Sequence, residues 1–365
     1  MRELSGLRID PDIHRASTLP AWVYADPEVF RASRERVFAP AWQLVTDTDR
    51  LRAPGHVLPF TLHEGLLDEP LMTVRDRDDR LHCLSNVCTH RGNLVAEHEG
   101  IESVLRCRYH GRRFALDGAF LSMPEFEQAE GFPTPADSLP HVPFAVWEKF
   151  LFAALAPECR FEELVGPLEA RCAGLPISRA MFDPTRSRDY LVRAHWALYV
   201  ENYLEGFHLP YVHAGLSQSL DYGAYRTELF DRSSLQVGIA QGGEDVLDLP
   251  AGSPDAGQGV AAYYFWIYPT TMINVYPWGL SLNVVRPQAV DLTRVSFLSY
   301  VWDASRLDRG AGAALDRVER EDEAIVEAVQ RGMRSRLYRS GRYSPAREQG
   351  VHHFHGLLAR SLSGG

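Results

Sequence analysis

The sequence predicts an α+β protein of two domains, the first built from short strands and the second from an antiparallel sheet and a long helix. At 365 residues the chain is long for a single domain, and 45% of it is hydrophobic, which is enough for two cores. Short strand-like runs broken by Gly, Pro and Asp fill residues 41–157. Residues 158–365 carry longer strands followed by a helix, an order that is typical of α+β folds.

The predicted elements follow this division along the chain. Residues 1–40 form an N-terminal helical segment, in which Asp26-Pro27-Glu28 indicates a helix start with an N-cap, a proline and an acid in the first turn. Residues 315–337 have the apolar periodicity of a long amphipathic helix, and residues 361–365 are expected to form a disordered tail. The predicted strands are 70–74 and 150–155 in the first domain and 261–268, 271–276, 280–285 and 294–301 in the second.

Composition and charge argue against several classes of partner and location. A formal net charge of −10 makes nucleic acid or an anionic membrane surface an unsuitable partner. Five cysteines in a chain of this length are not the framework of a disulfide-rich secreted domain. The first residues lack an apolar signal region, and no apolar run approaches the length of a membrane span. We therefore expect a cytoplasmic protein that is not bound to a membrane.

Two cysteine–histidine pairs in the first domain are the strongest chemical signal. Cys88-Thr-His90 is followed, after sixteen intervening residues, by Cys107-Arg-Tyr-His110. Two thiolates and two imidazoles suit a Rieske [2Fe–2S] cluster, in which two histidines replace two cysteines on one iron. They also suit a tetrahedral zinc site, which remains the alternative at this point.

A second group of potential metal ligands lies in the second domain. Glu201, Glu205 and His208 follow one another at i, i+4 and i+7, so they would share one face of a helix. Pro210 is expected to end that helix, because the residue before a proline is pushed out of the α region, and His213 can then turn back towards His208. Two imidazoles and one carboxylate with open positions form the facial triad of non-haem Fe(II) oxygenases.

Helical periodicity indicates the carboxylate of this triad. At ~100° per residue, Asp322 lies within about 20° of the centre of the apolar stripe in the helix predicted for 315–337. Its neighbours Glu321 and Glu323 project roughly 100° to either side, towards the edges of the stripe or solvent. A carboxylate that points into a core is costly unless it is paired or binds a metal. A buried ion pair is the alternative, but two histidines that lack a third ligand favour metal binding.

With these motifs in order, the chain resembles a known family, the catalytic α subunits of the Rieske non-haem iron oxygenases. The resemblance covers roughly residues 20–360. The matching segments are CTHRG at 88–92, CRYHG at 107–111, ENYLEGFH at 201–208 with the following His213, and EDEAIVEAVQRG at 321–332. It implies a small β Rieske [2Fe–2S] domain followed by a helix-grip catalytic domain, in which an antiparallel sheet packs against a long helix.

The resemblance also implies how the first domain binds its cofactor. Cys88 and Cys107 would hold one iron of the cluster, and His90 and His110 would hold the other. In this family the cluster passes single electrons to a mononuclear iron in a neighbouring subunit. The subunits form a head-to-tail homotrimer, whose interfaces are heterologous and close by rotation.

In the second domain the resemblance implies that His208, His213 and Asp322 hold the mononuclear Fe(II). The family places a bridging carboxylate three residues before the first iron histidine, and Glu205 occupies that position. It would link His208 to His110 of the partner subunit. The residue is usually Asp; Glu resembles the branch that oxidises quaternary ammonium compounds such as choline, carnitine and glycine betaine.

The implied activity is an O₂-dependent hydroxylation or N-dealkylation of a small quaternary ammonium compound. An aromatic-ring-hydroxylating dioxygenase α subunit is the alternative among enzymes. The non-enzymatic alternative is a Rieske electron carrier or a binding protein stabilised by zinc. Either would leave His208, His213 and Asp322 without a function. The chain has no GxGxxG fingerprint after a strand, so electrons from NAD(P)H would come through a separate reductase or ferredoxin.

Aromatic residues offer two interpretations of the substrate pocket. Residues 263–268 and 276–278 are dense in aromatic side chains, which could form a cage for a trimethylammonium group through cation–π attraction. Alternation along a strand directs at most every second ring to one side, so packing of the sheet against a helix explains at least the others. Tyr203, Phe207 and Tyr211, beside the predicted iron ligands, are comparable candidates.

Overall fold

The computed structural model describes residues 4–213 and 219–364. The chain forms two compact units. One comprises Pro40–Pro157, and the other combines Met1–Ala39 with Glu158–Gly365. The N-terminal segment therefore packs with the C-terminal part of the chain and is not a body of its own.

The Pro40–Pro157 unit consists of small antiparallel sheets. Its strands are β1 Gln43–Asp47, β2 His56–Leu62, β3 Glu69–Arg75, β4 Leu81–Ser85, β5 Gly100–Ile101, β6 Leu105–Arg106, β7 Arg113–Phe114, β8 Phe120–Ser122, β9 Phe144–Trp147 and β10 Phe150–Ala153. They pair in the orders β1-β10-β9, β4-β3-β2-β5 and β6-β7-β8. The strands predicted at 70–74 and 150–155 are confirmed as β3 and β10 with shifted ends.

One antiparallel sheet forms the centre of the other unit. Its strands are β11 Met181–Val192, β12 Arg226–Phe230, β13 Ser233–Ile239, β14 Val260–Ile267, β15 Thr271–Tyr276, β16 Gly279–Ala289 and β17 Leu292–Val301. They pair in the order β11-β17-β16-β15-β14-β13-β12. The four strands predicted for this domain are confirmed as β14 to β17, which lie next to one another within the sheet.

Helices on this sheet carry the residues of the site. They are α1 Pro27–Ser33, α2 Phe161–Cys172, α3 Trp196–Tyr203, α4 Leu209–Val212, α5 Leu315–Met333 and α6 Gln349–Ser363. The start of α1 is as predicted, since Asp26 accepts a hydrogen bond from the backbone N–H of Glu28 and Pro27 follows it directly. Both α5 and α6 contact α3. Within the described ranges, none of the helices is long and apolar enough to cross a membrane.

The long helix α5 is shorter than predicted, and some of the residues predicted to be buried on it are exposed. It ends at Met333, and Leu337, which was expected inside it, is 95% exposed. Ile325 and Val329 are also exposed, while Gln330 is buried. The amide of Gln330 satisfies backbone groups of other segments, accepting from the N–H of His195 and donating to the carbonyl of Tyr24. Polar bonding rather than apolar contact therefore holds this end of the helix.

The expected disordered tail at 361–365 is wrong for Ser361 to Ser363, which form the last turn of α6. Leu362 is buried, and the hydroxyl of Tyr268 on the sheet donates to Ser361 Oγ over 3.0 Å. Gly364 ends the helix in the left-handed conformation, φ 90°. Residue 365 lies outside the described residues.

Two glycines on α6 allow a matched test of its packing. A Cβ on Gly350 would meet the backbone carbonyl of Leu204, at the end of α3, whereas a Cβ on Gly356 has ordinary contact with Arg360. We expect Gly350→Ala to lower the free energy of unfolding by about 1–3 kcal/mol through overpacking. Gly356→Ala should leave it unchanged or raise it by up to about 1 kcal/mol, because alanine favours helix. Equal effects of the two changes in thermal or urea unfolding would contradict the close approach of α6 to α3.

Candidate metal centres and substrate cavity

The two cysteine–histidine pairs lie on two loops of the Pro40–Pro157 unit. Cys88 and Cys107 are buried, while His110 is exposed. The rings of His90 and His110 are neighbours in an edge-to-face arrangement, with 4.8 Å between their centroids. Burial raises the pKa of the Cys88 thiol, so a thiolate at this depth depends on a positive partner such as a metal. The two candidate sulfur ligands thus lie inside the unit, while His90 is partly exposed and His110 is exposed.

The two loops repeat one backbone arrangement. The N–H of Gly92 donates to the carbonyl of Cys88, and the N–H of Gly111 donates to the carbonyl of Cys107, each over 3.0 Å. Both glycines have positive φ, 73° and 77° respectively, a region that side chains with a Cβ rarely adopt. Each turn thus brings its cysteine and its histidine to one side of the loop.

A Rieske cluster binds two cysteines to one iron and two histidines to the other, so it uses the thiols and the imidazoles as separate pairs. A zinc ion would instead take all four ligand atoms around one metal. Two buried cysteines and two neighbouring, more exposed histidine rings are compatible with the cluster.

The chain around the second group of ligands follows a different path from the predicted one. The helix expected to carry Glu205 and His208 ends at Tyr203, so both residues lie in the connection between α3 and α4. Pro210 does not end a helix. It lies in the first turn of α4, where its missing N–H costs no hydrogen bond. The short helix α4 then carries the chain to His213.

Glu201 does not share a face with the other two residues, contrary to the prediction. It lies on α3, and its Oε1 is 3.1 Å from Nε2 of the fully buried His355 on α6. The hydroxyls of Tyr24 and Tyr343 contact the two ring nitrogens of the same histidine. Glu201 therefore belongs to a buried polar network that joins helices and is not among the residues that line the cavity described below.

His208, His213 and Asp322 meet around one point, with their ligand atoms all within 4.8 Å of one another. Oδ1 of Asp322 lies 3.0 Å from Nε2 of His213 and 3.6 Å from Nε2 of His208. His213 is buried, and the other two side chains are mostly buried. Two imidazole nitrogens and one carboxylate oxygen that converge in this way fit the donor set of a mononuclear iron.

A carboxylate orients each of the two histidine rings. Nδ1 of His208 is 2.7 Å from Oε1 of Glu205, and Nδ1 of His213 is 2.7 Å from Oε2 of Glu321. An Nδ1–H that donates to a carboxylate leaves the lone pair of Nε2 directed at the metal and makes that nitrogen a better ligand. The hydrogen bond from His213 also lowers the pKa of Glu321, which keeps it charged.

Sequence reasoning missed two of the residues that support this triad. Glu321 was expected to project towards the edge of the stripe or solvent, whereas it contacts His213. Asn202 had no assigned role, and its Nδ2 donates to Oδ1 of Asp322 over 2.7 Å. The periodicity of α5 predicts the direction in which Glu321 points. It does not predict that the chain through α4 brings His213 to that side chain.

A cavity of about 100 Å³ adjoins the triad. The phenol rings of Tyr225 and Tyr264 line it with centroids 6.4 Å apart, and Tyr276 lies 6.0 Å from Tyr264. Tyr203 also lines it, and its hydroxyl is fixed by donation to Asn274 Oδ1 over 2.7 Å. Besides the two histidines, its described lining includes three acidic residues, Glu205, Glu319 and Asp322, and no lysine or arginine.

Both interpretations of the aromatic run are right in part. Of residues 263–268, Tyr264 lines the cavity. Tyr263 instead donates its hydroxyl to the buried Asp255, and the indole of Trp266 donates to the carbonyl of Pro269. Phe207 and Tyr211 are 39% and 80% exposed and are not among the lining residues. Alternation along β14 directs Tyr263 away from the side of Tyr264, whereas Trp266 shares that side and lies outside the cavity because it is further along the strand.

Comparison with known families agrees with both metal centres. Residues 41–137 match the Rieske [2Fe-2S] domain, and residues 182–364 match the catalytic domain of the ring-hydroxylating alpha subunit, which is half of the chain. The chain belongs to the Rieske non-haem iron oxygenases. It is therefore an oxidoreductase that carries a Rieske [2Fe–2S] cluster and a mononuclear iron and uses O₂ and a small-molecule substrate.

Two named relatives of this oxygenase cover nearly all of its length. Choline monooxygenase, chloroplastic, of Arabidopsis thaliana is 32% identical over 97% of this chain and 85% of its own. The carnitine monooxygenase oxygenase subunit of Escherichia coli (strain K12) is 30% identical over 94% of each chain.

Solved structures show the same fold. The quaternary ammonium Rieske monooxygenase CntA in complex with L-carnitine superposes with a TM-score of 0.75 at 23% identity, over 98% of this chain and 97% of the other. Naphthalene 1,2-dioxygenase from Rhodococcus sp. bound to indole gives 0.73 at 18% identity, over 95% and 94%. The predicted combination of a Rieske domain and an antiparallel catalytic domain with a long helix is confirmed.

Three adjacent acids on α5 allow the iron site to be tested. We expect Asp322→Ala to lose the mononuclear iron while it keeps the visible absorbance of the Rieske cluster, because one of three ligands is removed. Glu321→Ala should weaken iron binding by about 10–100-fold, the usual effect of losing a carboxylate behind a ligating histidine. Glu323→Ala is the control and should bind iron as the unaltered protein does. Iron titration after chelation measures all three, and an unchanged affinity in Glu321→Ala would contradict the role of this carboxylate.

Proposed function

We propose that this oxygenase hydroxylates or N-dealkylates a small quaternary ammonium compound. The observation that carries the proposal is the tyrosine-walled cavity beside the triad. Tyr225, Tyr264 and Tyr276 line the same cavity as the triad, with neighbouring ring centroids 6.0–6.4 Å apart, and a trimethylammonium group would lie against them. The faces of such rings attract a cation, and the attraction strengthens when water is excluded. The names of the choline and carnitine monooxygenases, relatives over nearly the whole chain, support the same substrate class.

The cavity also favours a cation over a neutral arene. An aromatic-ring dioxygenase needs an apolar lining, and tyrosine rings would serve an arene as well as a cation. Carboxylates in an enclosed site favour a positive charge, however, and this cavity has three acids and, among its described lining residues, no lysine or arginine. The lining therefore supports the quaternary ammonium substrate.

We infer the ligands of the two cofactors from the residues that converge in each unit. The mononuclear iron is held by His208, His213 and Asp322, and the cluster by Cys88, His90, Cys107 and His110. When bound, the iron provides the open positions at which O₂ is activated, with electrons that the cluster delivers singly. The tyrosines would bind the cation in the cavity beside the triad. Glu205 and Glu321 keep the two imidazoles in the tautomer that ligates through Nε2.

Glu205 is also the proposed bridge for electrons. Its Oε1 contacts Nδ1 of His208, and its Oε2 accepts from the backbone N–H groups of Phe207 and His208. We propose that the carboxylate contacts His110 of the partner subunit as well and so links the two centres. Asp322 already provides the carboxylate of the triad, which leaves Glu205 available for this second contact.

Exposed aromatic residues near each centre support a head-to-tail trimer. Phe207 and Tyr211 are exposed beside the iron ligands, with ring centroids 6.2 Å apart. In the other unit, Tyr109 is 57% exposed and packs on the exposed His110 with centroids 3.7 Å apart. Exposed aromatic residues are enriched at protein interfaces. Because the two patches differ, their contact would be heterologous, and a threefold rotation between subunits would close it into the proposed trimer.

Electrons for this reaction require a redox partner. We propose a separate NAD(P)H-dependent reductase or ferredoxin, since the sequence contains no dinucleotide-binding fingerprint of its own. A cytoplasmic location also remains a prediction.

The role of Glu205 predicts a separation of electron transfer from metal binding. We expect Glu205→Gln to keep both metal centres and the trimer, because glutamine has the same size and still accepts a hydrogen bond through its carbonyl. Oxidation of the reduced cluster with substrate and O₂ in a single turnover should slow by at least about 10–100-fold, because the charge that orients both imidazoles is lost. Cluster oxidation at the original rate, or loss of the iron from the variant, would show that Glu205 is not a bridge.

The substrate class is tested by identifying products. We expect the reduced protein, supplied with O₂, to oxidise at least one member of a panel containing choline, carnitine and glycine betaine. Simple arenes in the same panel should be recovered unchanged, since the acidic cavity gives them no charged contact. Dihydroxylated arene products without any oxidised ammonium compound would instead identify an aromatic-ring dioxygenase.

A further inference from the structure

One buried carboxylate in the cavity has no role in the site described above. Glu319 lies on α5 three residues before Asp322, so the two acids share a face of the helix. The residue is 2% exposed and lines the cavity. Its Oε2 accepts a hydrogen bond from the hydroxyl of Tyr199 over 2.6 Å. Its Oε1 is buried and has no hydrogen-bond partner in the part of the chain that the structure describes.

A buried acid with one unpartnered oxygen is costly to keep. Burial of a carboxylate without compensating contacts destabilises the fold, and a cation or donor that enters the cavity would remove that cost. Glu205 already contacts His208, and Asp322 is a proposed iron ligand and accepts from Asn202. Glu319 is therefore the acid of the cavity that remains available to a substrate.

The protonation of Glu319 is consistent with a ligand of positive charge. Burial raises the pKa of its carboxyl well above the usual range, which favours the neutral acid when no cation is near. A cation close to the carboxyl favours the ionised form and brings the pKa down again.

Apart from the iron that the triad would hold and its two histidines, the described side chains of the cavity offer no positive partner to a negative charge. No lysine or arginine lines it among the described residues, and residues 214–218, Ala-Gly-Leu-Ser-Gln, contain neither type. A neighbouring cavity shares Phe297 and Leu315 with this one. The arginines that line the neighbouring cavity are Arg186, Arg188, Arg317 and Arg320.

These arginines already have partners. Arg186 pairs with Asp308, and Arg317 pairs with Glu321. Arg320 pairs with Asp316, and Arg188 donates to backbone carbonyls. Away from the iron, a carboxylate on the substrate would thus meet acidic side chains and no basic partner, where repulsion and desolvation oppose it.

We propose that Glu319 is the counter-charge for the ammonium group and that the site therefore selects cations that lack a carboxylate. Choline is such a cation, whereas L-carnitine, γ-butyrobetaine and glycine betaine carry the excluded carboxylate. The proposal rests on the proposed function, because it assigns a residue and a narrower substrate class to the same site.

Binding to the iron-loaded protein tests the residue. Calorimetry compares choline with dimethylbutanol, the neutral isostere in which carbon replaces the ammonium nitrogen. We expect Glu319→Gln to raise the dissociation constant for choline at least about tenfold, because the buried ammonium group of choline loses its counter-charge. Binding of dimethylbutanol should change by less than about twofold, which also shows that the cavity is intact. Glu323→Gln on the same helix is the matched control and should bind both compounds as the unaltered protein does. Equal losses for the two compounds, or no loss for choline, would overturn the role of Glu319.

Comparing kcat/KM between substrates tests whether the site selects cations that lack a carboxylate. We expect the unaltered protein to turn over choline with a higher kcat/KM than any of the three carboxylate-bearing compounds. A preference for one of those three would overturn this inference and leave the proposed function in place. Failure to bind or oxidise any quaternary ammonium compound would overturn the proposed function itself.

Discussion

The hydrogen bonds between two carboxylates and two imidazoles are the interactions on which the catalytic site depends. Glu205 holds the ring of His208, and Glu321 holds that of His213, each over 2.7 Å. The two histidines flank the four-residue helix α4 and do not lie within a long helix that would fix their rings. The hydrogen bonds to the carboxylates fix the ring orientations instead. They also determine which nitrogen faces the metal. Because Glu205 follows the end of α3 and Glu321 lies on α5, the contact between these helices fixes the geometry of the triad.

The sheet and the helices contribute different parts of the same site. The α3–α4 connection and α5 carry the proposed iron ligands, whereas β14 and β15 contribute Tyr264 and Tyr276 to the cavity. A rigid, fully paired sheet holds these rings in place without help from the substrate, which reduces the entropy lost on binding. Glu319 and Asp322 lie about one helical turn apart on α5. This spacing sets the distance between the proposed counter-charge for the cation, Glu319, and the iron that Asp322 is proposed to bind.

Much of the site is predictable from the sequence because its chemistry is local. The cysteine–histidine pairs, and the two histidines proposed to bind iron, are close in the chain, and helical phase alone directed Asp322 into the site. Strands β14 to β17 follow from their apolar runs. Strand β13 does not, because its buried residues include Ser233, Ser234 and Gln236, and strand β11 is largely exposed. Contacts such as Asn202 with Asp322 depend on how distant segments meet, and no periodicity within one segment contains that information.

The central claim is that one site binds iron through His208, His213 and Asp322 and holds a quaternary ammonium group within its tyrosine cage. A crystal structure of the iron-loaded protein with choline, with anomalous diffraction at the iron edge, tests it directly. The account predicts an iron peak between the two Nε2 atoms and the Asp322 carboxylate, and the trimethylammonium group among Tyr225, Tyr264 and Tyr276. Iron bound elsewhere, or a choline head group outside these three rings, would contradict it.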